Sequence, residues 1–140
     1  MKYDIMNCVE NDAEYICDKL VEYNLGQVPK TQKIDFININ KKIVDKNNNI
    51  IAGCIAKMYC WNVIYIDILW VDENYRRHGL GTKLLNEIER IALEEKCSLI
   101  HLDTFDFQAR DFYVKQGYEV FGVLDDCPKN HYRYYLKKKF

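Results

Sequence analysis

The sequence predicts a single domain of mixed α/β class spanning 1–140 and built on one mixed sheet. Three observations lead there. β-Branched apolar runs alternate with helix-periodic segments along the chain. One run, Tyr65-Ile66-Asp67-Ile68-Leu69-Trp70-Val71, feeds a glycine-containing turn that opens a long amphipathic helix. And 140 residues, 49% of them hydrophobic, can bury one substantial core without room for a second domain.

The chain opens with a short predicted strand, Lys2 to Cys8, and then a capping-box pattern, Asn11-Asp12-Ala13-Glu14, that starts a helix. Ala13, Ile16, Cys17 and Leu20 mark its apolar face; Gly26 and Pro29 end it. The polar stretch to Lys33 reads as a loop over one edge of the site, suited to gating substrate. Phe36 to Asp45 and Asn49 to Tyr59 form two strands around Asn47-Asn48-Asn49, because asparagine tolerates left-handed turn geometry. Gly53, inside the second strand, predicts close backbone packing or a bulge. Leu80, Leu84, Leu85, Ile88, Ile91 and Ala92 form one helix face, with Lys83, Glu87, Arg90 and Glu94 pairing on the solvated side. Ser98 to Thr104 is a strand, Gln108 to Gln116 a short helix, and Tyr118 to Val123 with Tyr132 to Lys138 a final strand pair.

Net charge is −1, so no global field draws the chain to nucleic acid or an anionic membrane. Charged residues interrupt every apolar run near the N-terminus, and no run reaches spanning length; the expectation is a cytoplasmic protein. Six cysteines form no C-x-x-C pair, and the three histidines have no ligand spacing, so no metal is expected and most thiols read as small buried apolar groups. Free thiols fit a reducing compartment.

Chemistry concentrates in Asp72-Glu73-Asn74-Tyr75-Arg76-Arg77-His78-Gly79-Leu80-Gly81-Thr82. A strand, a glycine turn and a helix start aim free N–H groups and the positive end of a helix dipole at one anion. The dinucleotide pattern fails because Leu84 stands at its third glycine and several residues separate Val71 from Gly79; Gly81-Thr82-Lys83 runs in the wrong order for a Walker loop.

Arg76-x-x-Gly79-x-Gly81 resembles the pyrophosphate-binding motif of the GNAT superfamily of acetyl-CoA-dependent N-acetyltransferases. Downstream, Ala109-Arg110-Asp111-Phe112-Tyr113-Val114-Lys115-Gln116-Gly117-Tyr118 resembles that family's second signature, and the two together cover most of the chain from about Ile50. The resemblance implies a GNAT-like fold, with the family's usual second helix short or missing, and acetyl-CoA as cosubstrate. It implies that the backbone around Leu69, Trp70 and Val71 holds the pantetheine and acetyl carbonyl. Arg76, Arg77, His78, Gly79, Leu80, Gly81 and Thr82 would then cradle the pyrophosphate, the arginines adding charge.

Direct transfer needs a proton acceptor for the incoming ammonium, donors for the developing oxyanion and an acid for the departing thiolate. Tyr113 stands at the tyrosine of the second signature and is the expected acid; its reference pKa of about 10 keeps it protonated at neutral pH. Asp67 lies two residues before Leu69, which predicts a face shared with Tyr65 and Leu69 and a candidate base or amine-binding carboxylate; a water chain is the alternative. Tyr65, Asp67, Asp103 and Thr104 are the expected acceptor-binding residues, because the strand ending at Asp103-Thr104 should splay from Tyr65–Val71. Trp61, Trp70, Tyr59, Tyr65 and Phe105 are candidates for an aromatic wall. Asp106 stands where the family often has asparagine. A covalent acyl-enzyme on Cys54 or Cys60 finds no neighbouring histidine in sequence.

The resulting expectation is acetyl transfer to the primary amine of a small molecule. A CoA-binding regulatory module and a protein or peptide N-acetyltransferase are the alternatives, and a homodimer stays open.

Overall fold

The computed structural model describes residues 2–140. Helix α1 (Asp12–Gln27) precedes strands β1 (Phe36–Asn38), β2 (Lys41–Val44), β3 (Ile50–Tyr59) and β4 (Val63–Val71). A short 3₁₀ turn, Glu73–Tyr75, leads to α2 (Leu80–Glu94), then β5 (Leu99–Phe105), α3 (Arg110–Lys115), β6 (Glu119–Asp125) and β7 (Tyr132–Lys139). The strands form one mixed sheet in the order β1-β3-β4-β5-β7-β6, with β2 also paired to β3. Only β4 and β5 run parallel, which requires the α2 crossover between them.

Alternation decides which sheet face is buried. Cys54, Ala56 and Met58 of β3, Ile64 and Ile66 of β4, Ile100 and Leu102 of β5, and Leu136 of β7 all point to one side. There they meet Leu84, Leu85, Ile88 and Ala92 of α2 and Tyr113 of α3, in a single core. Among the described residues no helix covers the opposite face, and Phe36, Ile55, Ile68 and Trp70 remain exposed on it.

Several expectations change. Lys2–Cys8 forms no strand and joins no sheet within its own chain. Asn11 makes no side-chain cap; the Asp12 carboxylate instead accepts from the Val9 N–H at 2.7 Å. No residue of α1 is buried, so Ile16 and Leu20 face solvent. The Phe36–Asp45 strand is broken in two, with the Asn40 side chain accepting from the Ala56 N–H at 3.0 Å at the interruption. Lys83 takes no part in the α2 charge network, where Arg90 bridges Glu87 and Glu94. Gly53 is not a bulge; a Cβ there would lie 3.4 Å from the Lys41 carbonyl oxygen, the close-packing alternative.

The loop after α1 does not reach the site end of the sheet. Trp61 Nε1–H donates to the Val28 carbonyl at 2.8 Å, and the Thr31 N–H donates to the Cys60 carbonyl at 2.9 Å. Gln32 donates to the Met58 carbonyl and accepts from the Asn62 N–H, both at 3.0 Å. These bonds pin the loop to the β3–β4 turn, at the start of β4, so it gates nothing at the strand's other end.

Ile88 is fully buried between α2 and the sheet. Ile88→Ala should cost about 2–5 kcal/mol of unfolding free energy through the lost methylenes and the cavity left behind. Urea denaturation checks this, and an unchanged midpoint would show that α2 does not hold that face.

Candidate active site

The site begins where two strands part. β4 and β5 pair only from Val63–Leu99 to Ile66–Leu102. Immediately beyond, the β3–β4 register jumps from Ala56–Ile66 to Ile55–Ile68, so Asp67 is the extra residue of a β-bulge. Between Asp67–Val71 and Asp103–Phe105 a cleft of about 780 Å³ opens. Its walls include Tyr75 to Arg77, Gly79 to Thr82, Phe112, Tyr113 and Arg133.

The bulge corrects one expectation. Leu69 sits opposite Cys54 on the core face, whereas Tyr65 sits opposite Lys57 on the open face. The extra residue shifts the alternation, so Tyr65 and Leu69 no longer share a face. Asp67 is exposed and lines the cleft, and it has no hydrogen-bond or ion-pair partner.

One wall is backbone. The Asp72 N–H bonds the Ile51 carbonyl at 2.8 Å, so strand alternation turns the N–H and C=O groups of Val71 and Leu69 away from β3 and toward the cleft. The Val71 carbonyl already accepts from Arg76 Nε at 3.1 Å, so Arg76 ties the turn to the strand. The N–H groups of Leu69 and Val71 and the Leu69 carbonyl remain for a ligand.

The other end is the start of α2. The first helical bond is Lys83 N–H to Gly79 O at 3.0 Å, which leaves the amides of Leu80, Gly81 and Thr82 ahead of it. Gly79 has φ +76°, a left-handed conformation, with open space where a Cβ would stand. A Cβ at Gly81 would lie 3.4 Å from the Phe112 ring. A concave backbone cradle at the positive end of a 15-residue helix suits a diphosphate. Arg77 lines it, whereas His78 does not.

Tyr113 stands across the cleft, with its ring edge-on to Phe112 and Tyr118. The residue is only 5% exposed and has no hydrogen-bond partner, yet no described buried side-chain oxygen is left unsatisfied. Its hydroxyl therefore opens to the cleft. Burial, and then the nearby Cys54 and Asp103, hold its pKa well above the ordinary phenol range.

Asp103 is committed elsewhere. Arg133 binds its Oδ1 through Nε at 2.9 Å and a terminal nitrogen at 2.6 Å, and the Tyr65 hydroxyl donates to Oδ2 at 3.0 Å. Burial and this bond push Tyr65 up to about 12. Asp103 and Thr104 line the cleft, but Tyr65 does not. The Thr104 hydroxyl is buried and bonds Gln108 and the Ala109 N–H, which sets the start of α3. Of the aromatic candidates, Trp70 and Phe105 line the cleft; Tyr59, Tyr65 and Trp61 do not. Asp106 pairs with His131 and the Tyr132 N–H, outside the cleft.

Arg133 and Gln108 carry no signal in the sequence. Arg133 lies 30 residues from its partner, and only the β5–β7 register, with Phe105 opposite Arg133, brings them together. No described group of histidines, cysteines and carboxylates could hold a metal ion, and all six cysteines are free.

The model of the acetyltransferase (GNAT) family matches residues 13–118, and the chain belongs to that family of acetyl-CoA-dependent acetyltransferases. The crystal structure of an acetyltransferase from Bacillus cereus superposes with a TM-score of 0.88 at 38% identity, over 99% of this chain and 98% of that one. Blasticidin-S acetyltransferase of Streptomyces morookaense is 37% identical over 79 residues, which cover 56% of this chain and 58% of that relative's length. A Bacillus anthracis protein with a provisional streptothricin acetyltransferase assignment, solved in complex with acetyl coenzyme A, is 26% identical over 78% of this chain and 65% of its own, with a TM-score of 0.64.

Beside Tyr113 the Cys54 thiol is fully buried, and burial pushes its pKa from 9.0 up to about 11. The fold favours the neutral thiol. That contribution is complete below pH 9 and is lost as pH rises through 11. The thermal midpoint should fall across this window, and less steeply in Cys54→Ala; equal slopes in the two proteins would remove Cys54 as a cause.

Proposed function

We propose that the protein transfers the acetyl group of acetyl-CoA to the primary amine of a cationic small molecule, by direct attack with both substrates bound. The observation that carries this reading is that Tyr113 and the exposed, unpartnered Asp67 line one cleft. Acetyl-CoA supplies the activated acyl group. The amides of Leu80, Gly81 and Thr82, with Arg77, hold its diphosphate, and Gly79 leaves the approach to them clear. The N–H groups of Leu69 and Val71 hold the pantetheine arm and polarise the thioester carbonyl.

Asp67 receives the ammonium of the acceptor and passes its proton toward water at the open mouth, because only a neutral amine attacks. Tyr113 stays protonated through its burial and donates toward the departing sulfur. Holding both substrates in one cleft supplies proximity. Relatives named for antibiotic acetylation support a small-molecule acceptor. The Asp103–Arg133 pair lines the cleft as a neutralised unit and contributes shape and hydrogen bonding rather than net charge.

Titration calorimetry with acetyl-CoA, run beside NAD and ATP, tests the cradle. Selective binding of acetyl-CoA is expected; equal binding of all three would reduce the site to a generic anion turn. Gly79→Val should abolish acetyl-CoA binding in a protein that still folds, because a β-branched residue cannot hold φ +76° without strain and blocks the backbone.

A transfer assay over a panel of amines then separates the two side chains. Tyr113→Phe should lower kcat by roughly a hundredfold with acetyl-CoA affinity retained. Asp67→Asn should raise KM for cationic amines without weakening acetyl-CoA. Turnover of the wild type on no amine, with acetyl-CoA still bound, would favour a regulatory module instead.

A further inference from the structure

The N-terminal arm and the open sheet face are both unfinished surfaces, and they complement each other. Tyr3, Ile5, Met6, Val9, Ile16 and Leu20 are each more than half exposed. The chain as a whole exposes 10388 Å². A folded monomer of its mass should expose roughly 7,600 Å². The excess, roughly 2,800 Å² per chain or roughly 5,600 Å² for two, is at the upper end of the surface removed by an obligate dimer interface.

The receiving surface sits on the same chain. Phe36, Ile55, Ile68 and Trp70 form an apolar strip across β1, β3 and β4, and no described strand covers the outer edge of β1 and β2. An open sheet edge and an exposed segment of strand-forming composition, carried on one chain, allow strand addition between copies.

Charge points to the same match. Between Lys2 and Val28 there are six acidic and two basic residues; between Lys30 and Lys57 there are six lysines and two aspartates. On the open face, Lys42 and Lys57 flank the apolar strip, and neither forms an ion pair. The arm, at net −4, is thus complementary in charge to an edge region of net +4.

The anchors at Val28, Thr31 and Gln32 hold the base of the arm against the β3–β4 turn, while α1 buries none of its residues against its own chain. We propose that residues 2–27 are an exchanged arm. In a homodimer, each arm seats α1 on the open face of the second copy and adds Lys2–Cys8 to that copy's β1/β2 edge. The occupant is a second copy because the chain itself supplies both the apolar and the charged complement. Reciprocal exchange also closes the assembly at two.

Light scattering on the full-length protein after size exclusion tests this directly. The expected mass is twice the 16.7 kDa of the chain; a monomer at micromolar concentration would overturn the proposal, whatever the arm then does in its own chain. Ile16→Glu with Leu20→Glu should give a monomer with an unchanged circular dichroism spectrum, since both side chains are exposed within the chain. An undiminished dimer in that variant would equally defeat it.

Lys42→Glu with Lys57→Glu should weaken the dimer roughly tenfold or more by sedimentation. No change in affinity would remove the charge match. None of these readouts depends on the acetyl-transfer reading, so the two can fail separately.

Discussion

The parting of β4 from β5 is the constraint on which the rest of the site depends. A parallel pair buries its backbone groups in mutual hydrogen bonds, and beyond Ile66 and Leu102 that pairing stops. The bulge at Asp67 accounts for it: an added residue bends the strand and increases its twist, so the two strands can no longer stay in register. The strands separate into a gap whose wall is unpaired backbone. Arg76 satisfies one exposed carbonyl, that of Val71, and the remaining groups face the cleft. The α2 crossover must begin just beyond this gap, so its free N-terminal amides sit beside the backbone donors.

The two carboxylates of the cleft differ in what surrounds them, and that difference shapes the cleft's charge. Asp103 lies between a bidentate arginine and a tyrosine hydroxyl, so its charge is spent within the fold. Asp67 projects from the bulge with no partner. Next to this cluster, burial lowers the His101 pKa, and its Nε2 lies 2.7 Å from the Tyr59 hydroxyl. The cleft therefore offers a cationic ligand one uncompensated negative side chain, set in a wall of aromatic and neutralised groups.

Local patterns carried much of this in the sequence. The Gly79-x-Gly81 turn, the apolar face of α2 and the position of Tyr113 each depend on neighbours within a few residues; the structure puts the turn and Tyr113 on one cleft and the α2 face in the core. Features set by distant pairing were illegible. Asp103 finds Arg133 only through the β5–β7 register, and the bulge that separates Leu69 from the face of Tyr65 arises from a mismatch between two strands. The loop after α1 read as a gate because its polarity carries no address; Gln32, Trp61 and Asn62 fix it to the other end of the sheet. Lys2–Cys8 has strand-like composition, but a strand needs a sheet to join, and within the described chain this segment joins none.

The open face and the cleft are one continuous surface. Ile68 and Trp70 belong to both: they stand among the exposed apolar residues opposite the core, and they line the cleft on either side of Leu69. The diphosphate cradle, by contrast, is closed by elements of the chain's own core, with Phe112 against Gly81 and Arg76 tied to Val71. A partner seated on the open face would therefore border the Asp67 end of the cleft and leave the helix-start cradle alone. On the reading proposed above, acetyl-CoA affinity and acceptor selectivity reside in separable parts of one fold, the first at a turn and a helix start, the second at a strand bulge.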